Sequence, residues 1–208
     1  MLSTLGTTLG IAKDLKDLLG LSYVKDKLLN NPTDASIQLA EVLGELSQVL
    51  DFVEKETVRY LEIIFLPDRS NFIACRSVLL SLESGYSTIK GYEARGHCHK
   101  IKNIYEKYLD SWFSKVLDMQ DAQKMRKIFD QMNYADYDMI RGIGDITKWL
   151  MHESEAILAL VDTDRLEDAN QRIKAARMDV QQIRRDIVDA LAHLRLLQAS
   201  FIVSSETV

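Results

Sequence analysis

The sequence predicts an all-α protein: an elongated, antiparallel up-down-up-down four-helix bundle with coiled-coil-like seams and an additional N-terminal amphipathic helix. Three observations predict this class. Apolar residues recur in alternating steps of three and four over long stretches, which is the spacing of a helix face. Proline, which interrupts helices, occurs only twice in 208 residues. No segment alternates apolar and polar residues in the pattern of a half-buried strand. We expect a single helical-bundle domain over residues 1–208.

Groups of turn-forming and helix-capping residues divide the chain into five helical segments. Their expected bounds are about 4–29, 33–66, 70–117, 121–161 and 164–203. The clearest apolar row lies in the last segment, where eleven successive row positions are apolar. They are Leu166, Ala169, Ile173, Ala176, Val180, Ile183, Ile187, Ala190, Leu194, Leu197 and Phe201. Such a repeat of 3.5 residues indicates left-handed, knobs-into-holes packing.

The second segment carries a similar row that is wider than a two-stranded coiled coil requires. Its positions are Leu39, Leu43, Leu46, Leu50, Val53, Thr57, Tyr60 and Ile64, flanked by Val42, Val49 and Ile63. A wide apolar stripe is typical of a helix in a bundle. Because helices of this length, about 60 Å for 40 residues, are joined by short connections, sequence neighbours are expected to run antiparallel.

The third segment fits the helical pattern less well. One apolar frame ends at Ile89, and another begins at Ile101 and continues through Tyr105, Tyr108 and Trp112. The stretch between them, "GYEARGHCHK", is polar and contains two glycines. We expect a break, bulge or kink within 91–100.

In the fourth segment, two carboxylates, Asp136 and Glu153, occupy positions of the apolar row. They are too far apart along one helix to serve one reaction centre, about 25 Å. We expect each to pair with an Arg or Lys of a neighbouring helix, or to be exposed by a small rotation of the seam.

Charge is uneven along the chain, although the net charge is only −5. Residues 34–62 carry seven acidic and two basic side chains, whereas residues 90–107 carry five basic and two acidic ones. The basic residues are candidates for binding an acidic protein partner: Lys90, Arg95, Lys100, Lys102 and Lys107. Because the whole chain is acidic, nucleic acid is not an expected partner.

The stretch "GHCHK" holds the candidate metal ligands His97, Cys98 and His99. Zinc needs three or four convergent ligands, and no second cluster completes the set, so no metal and no cofactor are expected. There is no Glu-x-x-His, phosphate-binding loop or nucleophile elbow. The chain is therefore expected not to be an enzyme, with no evident small-molecule substrate. His97 followed by Lys100 resembles the H-x-x-K of histidine phosphotransfer domains, although Ile101 stands where those domains have a small residue.

The N-terminal stretch "LGTTLGIAKDLKDLLGL" has an apolar face made by Leu5, Leu9, Ala12, Leu15 and Leu19. Its polar face has as many aspartates as lysines, whereas helices that bind anionic lipid carry excess Lys and Arg. We expect it to dock on the bundle. The alternative is a lipid-binding helix over about 2–21, and its placement ahead of a four-helix bundle resembles the plan of cell-death effector bundles.

The function that the sequence predicts is a non-enzymatic helical-bundle module for interaction or oligomerisation, acting by burial of a helix face against a protein partner or a second copy. The alternatives are a membrane-active effector bundle with peripheral lipid contact through its N-terminal helix, and a phosphotransfer or metal-binding bundle at His97–His99. Two cysteines do not make a disulfide framework, so a reducing, cytoplasmic location is expected. The partner and the oligomeric state remain open.

Overall fold

A computed structural model describes the backbone of residues 5–31, 34–64 and 87–206, and the side chains of residues 9–31, 34–55, 95–131 and 152–203. Nearly all of the described backbone is helical, and it contains no strand. The elements are α1 (Leu5–Leu19), α2 (Ser22–Leu29), α3 (Asp34–Ile64), α4 (Ser87–Ile104), a π-helical turn (Tyr105–Leu109), α5 (Asp110–Val116), α6 (Met119–Asp162) and α7 (Leu166–Glu206). The prediction of an all-α helical bundle is confirmed.

The long helices form an antiparallel ring in which α3 contacts α4 and α7, and α6 contacts the same two helices. Two contacts show the relative direction of α3 and α7. Gly44 lies beside Gln198, and Glu54, which comes later in α3, accepts a hydrogen bond from Arg184, which comes earlier in α7. Residue numbers therefore rise along one helix as they fall along the other. The described helices of the ring therefore have an up-down-up-down order.

The predicted apolar rows supply the core. Within the described part of the α3 row, five positions are buried: Leu39, Leu43, Leu46, Leu50 and Val53. The flanking Val42 and Val49 have no exposed surface. The α7 row is buried or half-buried except at its first member, Leu166, which is 52% exposed. Thr57, Tyr60, Ile63 and Ile64 have side chains outside the described residues.

The first predicted segment, 4–29, is wrong as one helix, because α1 and α2 are separate. Gly20 and Leu21 form the corner between them. The Gly20 amide donates to the Lys16 carbonyl oxygen at 2.7 Å. A Cβ atom on Gly20 would lie 2.6 Å from that same oxygen, so this corner needs a residue without a side chain.

Of the break, bulge or kink predicted within 91–100, the break and the bulge are wrong, since α4 is a continuous α-helix from Ser87 to Ile104. A kink there stays a prediction. A glycine inside a helix costs only about 1 kcal/mol, which packing against α3 and α6 outweighs. The irregularity lies five residues further on, in the π-helical turn. The first part of the predicted third segment, 70–86, is outside the described residues.

The π-helical turn is held by aromatic and charged contacts with α6. The Tyr105 ring stacks on Phe129 with 4.4 Å between centroids, and its hydroxyl donates to Asp110 Oδ1 at 2.9 Å. Arg126 also donates to Asp110, and this bond holds the pKa of the carboxyl below its ordinary value despite the opposing effect of burial. Because the turn contains an extra residue, Leu109 enters the core and Tyr108, predicted in the apolar row, is exposed.

The turn between α6 and α7 is short and tightly bonded. Asp164 adopts a left-handed backbone conformation with φ of 60°, and the Arg165 amide donates to the Leu160 carbonyl oxygen at 2.8 Å. Near this turn, Arg172 donates two hydrogen bonds to Glu153, at 2.6 and 3.0 Å. The predicted pairing of Glu153 with a basic residue of a neighbouring helix is confirmed, and the side chain of Asp136 lies outside the described residues.

Candidate functional site

The residues of "GHCHK" lie on α4 where it packs against α3. His97 Nδ1 is 2.5 Å from Glu45 Oε2, which brings together two residues 52 positions apart in the sequence. The Glu45 side chain is only 15% exposed, whereas that of His97 is 37% exposed. Since an ionised carboxylate can only accept a hydrogen bond, the nitrogen of His97 that faces Glu45 carries the proton.

Lys100 joins the same cluster from the next turn of α4. Its Nζ atom lies 2.6 Å from Glu45 Oε1 and 2.8 Å from Glu41 Oε1. The hydrogen bonds to Glu41 and Glu45 raise the pKa of Lys100. Burial alone would raise the pKa of Glu45, but the hydrogen bonds from Lys100 and His97 outweigh it and hold that pKa below its ordinary value. Glu45 and Lys100 are therefore charged at neutral pH.

The candidate metal ligands do not converge. Cys98 is buried in the core at 1% exposure, while His99 faces the exposed side of α4 and His97 faces Glu45. No group of three or more His, Cys, Asp or Glu side chains within the described residues has a geometry that would hold a metal ion.

Three of the five basic candidates for partner binding have contacts inside the chain. Lys100 bonds to α3, Lys102 lies 3.7 Å from Glu106, and Lys107 lies 4.9 Å from the centre of the Tyr108 ring. Arg95 is half-buried, and the side chain of Lys90 is outside the described residues. The acidic and basic segments that the sequence distinguishes thus neutralise each other in part.

The apolar face of α1 points into the bundle, where α1 contacts α6 and α7. Ala12, Leu15 and Leu19 are at most 1% exposed, Leu9 is partly buried, and the side chain of Leu5 is outside the described residues. On the polar side of α1, Lys13 Nζ forms a salt bridge with Asp186 Oδ2 of α7 at 3.1 Å. Across the described ranges, no helix combines the length and the apolar character needed to cross a membrane.

The outer side of α7 carries a second apolar row, which the sequence analysis missed. It consists of Val188, Ala192, Leu196, Ala199 and Val203, all exposed, and we call it the outer row. Leu196 is 68% exposed and Val203 63%. The spacing of four, four, three and four was visible in the sequence, but the stronger core row on the same helix obscured it. The sequence pattern makes Val188 and Leu191 surplus apolar flanks that could meet a partner helix; Val188 is exposed, whereas Leu191 belongs to the core.

A groove of about 360 Å³ borders the outer row, and we call it the corner groove. One wall is the corner between α1 and α2, including Gly20 and Leu21, and the other is the second half of α7, including Leu196 and Leu197. Lys16, Lys25 and His193 stand along its edges. A second groove of about 420 Å³ lies on the other side of α1, towards α6.

Comparison of the chain with protein-family models, with curated proteins and with solved structures finds no match. Its function must therefore be argued from its own residues.

Proposed function

We propose that this chain is a non-enzymatic interaction module that buries a helix face of a protein partner, or of a second copy, against the outer row of α7. The observation that carries the proposal is the outer row itself. Single exposed apolar residues are ordinary on protein surfaces, but five in steps of four, four, three and four form a strip along one side of the helix.

The spacing of the outer row fits a helical partner. Steps of three and four place apolar side chains where a second helix can interdigitate with them, as in helix-in-groove recognition and coiled coils. The opposite side of the same helix, with Ile187, Leu194 and Phe201, is already buried in the core. Thus α7 could contact the bundle and a partner at once without unfolding.

The test is site-specific photo-crosslinking of the full-length chain in cells that produce it. A photoreactive amino acid at Val203, in the outer row, is expected to give a defined protein adduct, either with a partner or with a second copy. The same amino acid at Met119, which is 78% exposed at the start of α6, provides the control.

The V188E/A192E variant tests the apolar contact directly, with Val203 left in place to carry the crosslinker. The variant is expected to lose the adduct while retaining its helical circular dichroism. Adducts of equal yield from Val203 and Met119, or no adduct from Val203, would reject the proposal.

A second candidate function is phosphoryl transfer at His97, which the hydrogen bond to Glu45 favours. With Nδ1 holding the proton, Nε2 keeps the lone pair of the neutral ring. Nε2 would attack the phosphorus atom of an acyl phosphate, so that a P–N bond forms while the P–O bond breaks and the carboxylate leaves with its electron pair. Glu45 would stabilise the positive charge that develops on the ring.

Incubation with acetyl phosphate, followed by intact-mass and phosphorus NMR measurements, tests this candidate. One phosphoryl group is expected on His97, none on the H97Q variant, and labelling slower by about tenfold or more in E45Q. The H99Q variant is the matched control and should label normally. Labelling that E45Q leaves unchanged, or no labelling at all, would exclude the candidate.

The membrane-active alternative is less well supported. It would require α1 to leave its contacts with α6 and α7 and to expose the buried side chains of Ile11, Leu15 and Leu19. Uncovering so much apolar surface costs several kcal/mol before any contact with lipid is made.

A further inference from the structure

The corner groove combines an apolar floor with an excess of positive charge. Leu21 is 40% exposed and Leu196 is 68% exposed on its two sides, with Leu197 beneath. Gly20 lines the groove at the corner without a side chain. Two helices meeting at a bend therefore leave room for large apolar side chains of another molecule.

The lysines around the groove divide into two groups. Lys13 and Lys27, which point away from it, are bonded to Asp186 and Asp118 and hold α1 and α2 in place. Lys16 and Lys25, which line it, have no carboxylate partner among the described residues. The ammonium groups beside the apolar floor are thus available to another molecule, while their neighbours have structural roles.

The other charges of the groove leave this excess in place. Among the described residues that line the groove, Asp17 is the one carboxylate, against the two lysines. His193 Nδ1 donates to the Asp189 carbonyl oxygen at 2.7 Å, and its ring adds a third positive charge when it is protonated. The groove therefore complements an acidic, apolar occupant rather than a basic one.

From these observations we infer that the corner groove binds an acidic amphipathic helix of a partner protein, with apolar side chains on Leu21 and Leu196 and carboxylates facing Lys16 and Lys25. The inference rests on the proposed function, because Leu196 also belongs to the outer row, and it adds the chemistry of the partner. Apolar anchors supply most of the affinity in such helix-in-groove contacts, and the charged edges select the sequence.

Two fluorescent peptides of about 18 residues test the inference on the full-length chain. Both carry leucines in one helical stripe, one with glutamates on the flanks and the other with lysines there. The glutamate peptide is expected to bind at least about tenfold more tightly by fluorescence anisotropy. Its advantage should shrink as salt is added, since the charges at the groove edges are exposed.

Variants then distinguish the contribution of the apolar floor from that of the two lysines. The L21S/L196S variant is expected to lose about tenfold or more in affinity for the glutamate peptide. The K16Q/K25Q variant should bind both peptides equally. Met119→Ser and Lys102→Gln are matched controls that should change neither affinity, because both residues lie outside the groove.

Four results would overturn the inference. Equal binding of the two peptides, or binding that L21S/L196S leaves unchanged, would reject it. Binding to vesicles of anionic phospholipid that K16Q/K25Q abolishes, without binding of the glutamate peptide, would assign the groove to a lipid surface. A dimer in sedimentation that Leu21→Ser dissociates would assign it to a second copy. If crosslinking from Val203 persists in any of these cases, the proposed function stands and only the groove assignment fails.

Discussion

Glu45 connects α3 to α4 through two bonds made by one carboxylate. Each of its oxygen atoms has its own partner, His97 for one and Lys100 for the other. A largely buried carboxylate that loses its charge would leave both partners poorly satisfied, and this cost exceeds that of an exposed ion pair.

We expect Glu45→Gln to lower the free energy of unfolding by about 1–2 kcal/mol at pH 7. Because the folded-state pKa of Glu45 lies below its unfolded value, the charge contributes stability above the unfolded pKa, and this contribution is lost as pH falls through the folded pKa. The difference between wild type and variant should therefore shrink below about pH 4. Urea unfolding at pH 7 and at pH 3 measures it.

Glu155→Gln is the control for this prediction, since Glu155 is exposed on α6. It should change stability by less than about 0.5 kcal/mol at either pH. A Glu45→Gln variant with the same pH profile as the wild type would show that the cluster adds nothing to folding.

Two glycines should respond in opposite ways to substitution by alanine. A Cβ atom on Gly44 would meet the amide end of Gln198, a flexible side chain that can move away. A Cβ atom on Gly20 would instead meet the backbone oxygen of Lys16. Gly44→Ala is expected to be neutral or stabilising by up to about 1 kcal/mol, and Gly20→Ala to destabilise by about 1–3 kcal/mol. Chemical denaturation measures the free energy of unfolding of both variants. A Gly44→Ala variant less stable than Gly20→Ala would contradict the prediction.

Among the elements, the π-helical turn determines which side chains enter the core after Ile104. Such a turn behaves as a regular helix with one additional residue. In this turn Tyr105 and Leu109 are buried, whereas Tyr108 is exposed.

Deleting Lys107, an exposed residue of this turn, should convert it to a regular α-helix without moving the flanking faces. We expect the free energy of unfolding to change by no more than about 1 kcal/mol. Deleting the exposed Asp130 from the regular part of α6 is the matched control. It rotates the two parts of α6 by about 100° relative to each other and should prevent cooperative unfolding. Similar losses from both deletions would contradict the account.

The sequence predicted the long helices because their rows of apolar residues repeat over many turns. It could not predict the π-helical turn, which has no composition of its own. The break was assigned to Gly91 and Gly96 because glycine weakens helices locally, yet tertiary contacts outweighed that weakness. The corner at Gly20 did have a signal, since glycine commonly lies just past the end of a helix.

Contacts between residues far apart in the sequence were harder to predict than the helices themselves. His97 was identified as a candidate from its neighbours, but Glu45 was not, because the register between two antiparallel helices decides which residues meet. The corner groove is formed by residues about 170 positions apart, Leu21 and Leu196, and no local pattern connects them.

At the scale of the whole molecule, α1 is part of the core rather than an appendage. Leu15 is 1% exposed between elements that come late in the sequence. We expect Leu15→Ala to lower the free energy of unfolding by about 2–5 kcal/mol, as in other buried leucine sites. Asp14→Ala, on the exposed side of the same helix, should have an effect below about 0.5 kcal/mol. Urea unfolding of both variants at pH 7 measures the two changes.

A dye-leakage measurement with liposomes is a second test of whether α1 stays in the core. If α1 is a fixed part of the core, the full-length chain should cause no more dye leakage than a chain lacking residues 1–20. Leakage by the full-length chain that the deletion abolishes, together with a small effect of Leu15→Ala, would show that α1 is released and would favour the membrane-active alternative.

The packing of α1 against α6 and α7 also has a consequence for synthesis on the ribosome. The first of these helices emerges long before the other two, since about a hundred residues separate Leu19 from Met119. During that interval Ile11, Leu15 and Leu19 cannot reach their final neighbours. The nascent chain therefore presents an apolar segment that chaperones can bind, and productive folding has to wait until both of its partner helices have been synthesised.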